Sequence, residues 1–356
     1  MKKLLKTVLS LLLVIIIVAA GCVVYVFSAY YRIEDNLPLT VAGNADASLA
    51  TEQTYRIVTY NVGFGAYSAD YSFFMDGGKY SRAFSKEAAE DNIKGAANTV
   101  LSLDADIYLF QEVDTDGTRS HHVNQHALLA EQLPQNFVNV FAQNYDSPYL
   151  FYPFSSPIGA NESGIVTFSS FPISSALRRS LPVESSVMKI LDLDRCYSVS
   201  RIPVENGKEL VLYNVHLSAY TSDGTIATTQ LELLFENMTA EYSKGNYVIA
   251  GGDFNKDLLG DSSLYFGVKL EEPAPWAQAF PEELVPESLS LIKPISENAL
   301  FPSCRLADMP YSENNFVLTV DGFIVSDNII AVESAVVDAS FAYSDHDPVY
   351  LDFILN

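Results

Sequence analysis

Cysteine is scarce, three in 356 residues, too few for the disulfide framework of a small secreted domain. Cys22 falls in an apolar run, and Cys196 and Cys304 read as two buried thiols rather than a pair. Basic residues are scarce as well: 21 Lys and Arg stand against 44 Asp and Glu, a net charge of −23. Lys2, Lys3, Lys6 and Arg32 are the only charges in the first 32 residues, so the remainder carries 17 basic against 44 acidic side chains, or −27. Such a body is soluble and does not coat nucleic acid by bulk attraction. There is no GxSxG or Walker-type loop and no Cys₂His₂ or His₃ spacing, which argues against a serine hydrolase elbow, a P-loop and a dedicated zinc site. No internal repeat appears, and after residue 53 no composition break divides the chain.

What is present begins with an uncharged stretch from Thr7 to Tyr31, containing "VLSLLLVIIIVAAGCVVYVFSAYY". About 20 apolar residues span a bilayer core as a helix. Three lysines precede the run, and Arg32, Glu34 and Asp35 follow it, so the positive-inside bias puts the N-terminus in the cytoplasm and the rest outside. A cleaved signal peptide has a shorter apolar region. Ala19-Ala20-Gly21-Cys22 also resembles a lipobox, but apolar residues continue for nine positions past Cys22. The length favours an uncleaved single-pass anchor over residues 1–32, with the body outside the cytoplasm under all three readings. Residues 33–53 are polar and small and read as a linker. Residues 54–356 read as one domain.

Short β-rich runs recur through that domain: "YRIVTYNV" (55–62), "DIYLFQEV" (106–113), "GIVTFSS" (164–170), "CYSVSRIPV" (196–204), "ELVLYNVHL" (209–217), "NYVIAGGDF" (246–254), "DGFIVSD" (321–327) and "PVYLDFIL" (348–355). Several are apolar throughout, as strands buried on both faces are. Between them, Ala89, Ile93, Ala96, Ala97 and Val100 share one helical face, and so do Leu231, Leu234, Phe235, Met238 and Tyr242. Gly207 marks a hairpin. The mixture predicts an α/β domain of mixed sheets covered by helices.

Polar groups gather at the mouths of these strands: Asn61, Glu112, Asn214 and His216, Asp253 and Asn255, Asp321, then Asp345 and His346. Singly, each reads as a turn residue or a solvated side chain. Jointly they bring two of five histidines together with carboxylates and carboxamides, at the end of a sheet where ligands commonly bind. Phosphodiester hydrolysis needs such a set. A hard cation takes carboxylate and amide oxygens and neutralises a phosphate oxygen and the leaving alkoxide. A histidine oriented by a carboxylate activates water. Carboxamides and a second imidazole stabilise the phosphoryl oxygens.

The stretches "TYNVG" (59–63), "FQEV" (110–113), "YNVHL" (213–217), "GGDFN" (251–255), "TVDGFIVS" (319–326) and "SDHDPV" (344–349), in that order over residues 55–356, resemble the endonuclease/exonuclease/phosphatase superfamily, the deoxyribonuclease-like fold. The resemblance implies a four-layer α/β/β/α sandwich, two packed mixed β-sheets flanked by helices, and a phosphoesterase dependent on Mg²⁺ or Mn²⁺. It implies Glu112 as the main metal ligand with Asn61 and Asp345 near the same ion. His346, oriented by Asp321, becomes the general base or the phosphate-polarising imidazole. Asp253 positions water, Asn255 bonds the phosphate, and His216 is the second imidazole with Asn214 beside it. Arg195 is a phosphate-binding candidate with Arg201 as its competitor, and Glu162 a candidate to orient His216. Asp347 has no implied role and reads as a solvated turn carboxylate.

The substrate is open at this level, since the superfamily cleaves nucleic acids, sphingomyelin, inositol phosphates and other esters with one site. The acidic balance lowers the nuclease reading, and an anchor brings phospholipid head groups within reach. A catalytically inactive cell-surface binding module on the same fold is the alternative, and no protein partner is expected. "YSADYSFFMDGGKYSRAF" (67–84) reads as a packed loop or a lid, and His121, His122 and His126 as rim or surface residues.

Overall fold

The computed structural model describes residues 1–183, 189, 194–219, 225–269, 278–296 and 300–356. In chain order these form helix α1 (Lys2–Ala29), β1 (Leu37–Leu39), β2 (Val41–Ala42), β3 (Thr54–Asn61), α2 (Lys86–Leu101), β4 (Ile107–Gly117), α3 (Gln125–Gln132), β5 (Val138–Leu150), β6 (Gly159–Ser169), β7 (Ser175–Ser180), β8 (Cys196–Pro203) and β9 (Glu209–His216). There follow α4 (Thr225–Tyr242), β10 (Tyr247–Asp253), β11 (Leu289–Ile292), β12 (Cys304–Arg305), β13 (Val317–Leu318), β14 (Asp321–Ser326), β15 (Ile329–Val336) and β16 (Val349–Leu355). One seven-stranded sheet runs β1-β7-β8-β9-β10-β14-β11, the other β15-β16-β3-β4-β6-β5-β2.

Each sheet is mixed. Its parallel pair, β9–β10 in the first and β3–β4 in the second, is joined through a helix, α4 and α2 respectively. Parallel neighbours need such a crossover, because their connection must travel back the length of the strand. Ile57, Leu109, Leu212, Ile249, Phe323 and Leu351 belong to the core between the sheets. On the outer side of the first sheet, Leu231, Leu234 and Met238 of α4 pack on Val211, Val248 and Ile324. On the outer side of the second, Ile93, Ala96 and Val100 of α2 pack on Val58, Tyr108 and Phe110. Both sheets are thus covered on both faces, which is why their strands read as unbroken apolar runs, and the four layers are those expected. Ser85 starts α2 by accepting the Ala88 N–H on its hydroxyl at 3.1 Å.

Helix α1 has 28 residues, none buried, and is long and apolar enough to cross a membrane, a test that an N-terminal signal sequence also passes. Residues 33–53 are not the linker expected. Strand β1 pairs with β7 at the edge of the first sheet, and β2 with β5 at the edge of the second. Leu49 is buried in the core between them, and the buried Arg178 guanidinium donates to the Glu34 carbonyl at 3.0 Å. Leu37, Leu39 and Val41 alternate as a strand should, but Pro38 lies among them, and only an edge strand tolerates that.

In β10, Gly252 has φ +148°, and a Cβ there would lie 2.0 Å from the Val215 carbonyl oxygen of β9. The obstacle is backbone, so the strand pair must open. Gly252→Ala is therefore expected to lower the Tm by roughly 5–10 °C, from an overpacking cost of about 3 kcal/mol. A melting curve matching wild type would show that β9 and β10 do not approach this closely.

Candidate active site

The end of the sandwich where β3, β9 and β10 finish is set by register. Asp253 pairs with His216 in the parallel ladder and with Asp321 in the antiparallel one, so three functional side chains stand level on adjacent strands. Across the gap, Asn61 ends β3 beside Gln111 of β4. Glu112 reaches the same mouth through a bulge: β4 and β6 lose register between Phe110 and Val113, and Glu112 takes φ +56°. A left-handed backbone at a glutamate is strained, and a bulge re-aims the side chain it carries.

At the centre stands Asp253 Oδ2. It accepts Asn61 Nδ2 at 3.0 Å, and the Nε2 atoms of His216 and His346 lie 3.5 and 3.8 Å away. Asn61 Nδ2 also reaches Glu112 Oε1 at 3.2 Å, while the Gly63 N–H donates to Asn61 Oδ1 at 3.0 Å. His346 Nδ1 donates to Asp321 Oδ2 at 2.8 Å, which fixes the ring and leaves Nε2 facing Asp253 and the Cys304 sulfur at 3.6 Å. The Ser303 hydroxyl donates to the same Asp321 oxygen at 2.7 Å. Asn255, at φ +49°, donates Nδ2 to the Leu217 carbonyl at 2.8 Å and its backbone N–H to Asp253 Oδ1. The Ser344 hydroxyl lies between the Asn61 carbonyl, 2.8 Å, and Asp345 Oδ1, 3.3 Å.

Electrostatics divide the two imidazoles. Burial opposes a charge on His346, but the Asp321 carboxylate and Cys304 more than offset it and hold its pKa well above the usual histidine value. Burial, then the positive charges of Arg195, His346 and Arg119, hold His216 well below it. Burial pushes Asp253 up to about 7 and Asp345 to about 6, His346 opposing in both cases and Asp321 or Glu112 adding repulsion. Asp253, Asp321 and His346 place ligand-type atoms within 4.8 Å of one another. Since His346 and Asp321 already bond each other, this trio is better suited to moving a proton than to caging an ion.

Other expected positions fall elsewhere. Asn214 does not face the open cluster: it is fully buried, accepts Gln111 Nε2 at 2.8 Å and donates to the Val166 and Phe110 carbonyls at 3.0 and 3.3 Å. It lies two residues deeper along β9 than His216, and its amide ties one sheet to the other. Arg195 lines a cavity with Glu112 and His216, whereas Arg201 is held by Glu209 and Glu241, each at 2.6 Å. Glu162 is exposed opposite Asp116 and Asp146, and His216 Nδ1 has no partner. Asp347 is not solvated: it is buried, accepts the Ala339 and Phe341 N–H groups at 3.1 and 3.2 Å, and burial raises its pKa to about 7. His126 stacks on Phe141 and bonds Asn139 at 3.0 Å, so it is not an ordinary surface residue. Among the described residues Cys22, Cys196 and Cys304 are all free thiols.

Sequence reasoning missed Ser303, Cys304, Gln111 and Arg119. Arg119 pairs with Asp114 at 2.8 Å and lies 4.1 Å from the Phe64 ring centre. Gln111 was readable in "FQEV"; Ser303 precedes and Cys304 begins a strand of only two residues, which left no pattern.

The model of the Endonuclease/Exonuclease/phosphatase family matches residues 58–346. Among curated proteins none matches the sequence. Similar solved structures include an endonuclease/exonuclease/phosphatase from Beutenbergia cavernae (TM-score 0.59, 17% identity, covering 86% of this chain and 72% of that one). Truncated TDP2 from Caenorhabditis elegans is another (0.52, 13%, 85% and 99%). A third is ANGEL2, described as a 2',3'-cyclic phosphatase, in complex with adenosine-2',3'-vanadate (0.56, 15%, 90% and 99%).

A pH dependence follows from the buried acids. Asp253, Asp345 and Asp347 have folded pKa values above the unfolded ~3.9, so the fold binds more protons and their contribution is lost as pH rises from about 4 to about 7. His216 works oppositely, but only below about 6.5. The metal-free protein is therefore expected to melt several degrees lower at pH 8 than at pH 5. Added Mg²⁺ should recover more at pH 8. Equal Tm values in chelator at both pH values would contradict the buried-acid description.

Proposed function

Because the chain belongs to the endonuclease/exonuclease/phosphatase family, we propose that it is a divalent-metal-dependent phosphodiesterase, anchored by α1 with its body outside the cytoplasm. The lysines ahead of the apolar run and the acids behind it support that orientation. The observation that carries the chemistry is one carboxylate oxygen, Asp253 Oδ2, between two imidazole Nε2 atoms at 3.5 and 3.8 Å. A cyclic phosphodiester chemistry in the name of one structural neighbour agrees with this class.

Glu112 and Asp345 are the residues whose carboxylates would hold Mg²⁺ or Mn²⁺, and Asn61 would join them only by turning its amide, since its Oδ1 accepts the Gly63 N–H and its Nδ2 faces Glu112 and Asp253. The two carboxylates offer the hard oxygen donors such ions take, and the repulsion between them is what a dication would remove. When bound, the ion neutralises a phosphoryl oxygen and the departing alkoxide. Asp253 orients water and takes its proton, with an affinity near neutrality that suits a base. His346, kept charged by Asp321, polarises the phosphoryl group through Nε2. His216 is the second imidazole donor, and Asn255 keeps one Nδ2 hydrogen for the phosphate beyond its bond to Leu217. Arg195, beside His216, adds positive charge for the substrate. Water adds across one P–O bond, giving an alcohol and a phosphomonoester.

The test uses the full chain in detergent with Mg²⁺ and bis(p-nitrophenyl) phosphate. His346→Ala should lower kcat by about 10²–10⁴-fold, and Glu112→Gln should lose activity while keeping its Tm. Chelator should abolish turnover. Wild-type rates in both variants would overturn the site assignment, and no turnover by the wild-type protein with metal present would leave the inactive binding module as the reading.

A further inference from the structure

Next to Glu112 and His216 lies a cavity of about 470 Å³. Its floor is polar: besides those two residues, Arg119, Arg195, Asn144 and Ser163 line it. Asn144 and Ser163 are 4% and 2% exposed, yet Asn144 Nδ2 and Ser163 Oγ have no hydrogen-bond partner. Asn144 is the extra residue of a bulge where β5 loses register with β6 between Gln143 and Tyr145. Buried donors are nearly always paired, so two unpaired ones on a cavity floor mark positions where a ligand's oxygens would complete the bonding.

The walls differ in kind. Phe73, Phe74 and Met75 come from the aromatic loop, and Phe151 and Tyr152 from the β5–β6 connection. The remaining wall includes Val26, a residue of α1. The helix is fastened there: Tyr25 meets the Phe151 ring edge-on at 6.0 Å, its hydroxyl accepts the Tyr149 N–H at 3.4 Å, and the Tyr31 hydroxyl donates to Asp146. From Leu4 to Tyr25 an α-helix rises about 32 Å, close to the hydrocarbon thickness of a bilayer. Tyr25 and the connection it touches therefore stand at the level of the outer interface. That connection carries exposed aromatics, Tyr152 at 62% and Phe154 at 86%. Aromatic side chains without protein cover suit the headgroup region.

We propose that the 149–154 connection rests on the membrane that α1 crosses, and that the cavity draws its substrate from that same membrane: a phosphodiester lipid with an uncharged or zwitterionic head group. The phosphate would face His216 and His346, its neighbouring ester or hydroxyl oxygens would meet Asn144 Nδ2 and Ser163 Oγ, and its apolar part would run along Phe73, Phe74 and Phe151 toward Val26. A net charge of −23 disfavours a densely anionic ligand. This inference rests on the hydrolase reading and narrows its substrate.

Two measurements on the full chain, reconstituted in vesicles of phosphatidylcholine and phosphatidylethanolamine, test it. In the first, lipid hydrolysis and bis(p-nitrophenyl) phosphate hydrolysis are compared with Mg²⁺ present. Wild type should cleave both, and Phe154→Asp should slow lipid cleavage at least tenfold while changing the soluble diester less than twofold. Cleavage of the soluble diester with intact lipids overturns the proposal and leaves the hydrolase standing. So does a Phe154→Asp variant that slows neither substrate or both alike. In the second, Phe154→Trp is placed in brominated lipid, and its emission is read above that of the single natural tryptophan, Trp276. Strong quenching supports the membrane contact even if no diester is cleaved, and emission unchanged by the bromine overturns it.

Discussion

The molecule depends on two sheets being held face to face at one end by side-chain amides. The apolar core between them resists separation but does little to stop one sheet sliding over the other. The amides do. Asn61 of one sheet donates to Asp253 of the other, and Gln111 donates to Asn214, which in turn donates to carbonyls of β4 and β6. Buried polar groups are costly unless every partner is present, so this seam tolerates only one alignment of the sheets. The cluster of His216, Asp253 and His346 inherits its spacing from that alignment.

The layered fold was legible because double-sided burial leaves a plain mark: apolar runs without alternation, separated by helices with a single apolar stripe. The site was legible because its members bound those runs, closing them at Asn61, Glu112, His216 and Asp253 and opening one at Asp321. What could not be read was the direction of each side chain. Asn214 and His216 sit two residues apart on one face of β9, yet one is enclosed between the sheets and the other reaches the mouth. Glu162 looked able to reach His216 but is exposed on β6, between the buried Asn161 and Ser163. Asp347 looked solvated beside Pro348, and only the folded 339–341 turn shows the N–H groups it accepts.

A second class of residue left no trace because its neighbours are distant in sequence. Ser303 reaches Asp321 and Cys304 reaches His346 from a two-stranded ribbon too short to show a period. The aromatic loop after Asn61 was read two ways, and both describe part of it. Tyr71 packs inward with Phe64, Tyr67 and Phe73, while Phe64, Tyr67, Phe73, Phe74 and Met75 line the cavity. A hydrophobic run predicts burial, but here some of the burial is against a cavity.

The segment between α1 and the domain carries a consequence of its own. A flexible tether of 21 residues would let a body wander roughly 25 Å from its root. Here Leu37–Leu39 is sewn to one sheet and Val41–Ala42 to the other, so the slack is gone. The body is a fixture on its helix rather than a float on a line, and its height above whatever holds α1 is constant. Held by the membrane anchor proposed above, such a molecule would explore a plane instead of a volume, meeting its targets by drifting sideways and leaving anything beyond its standing height out of range.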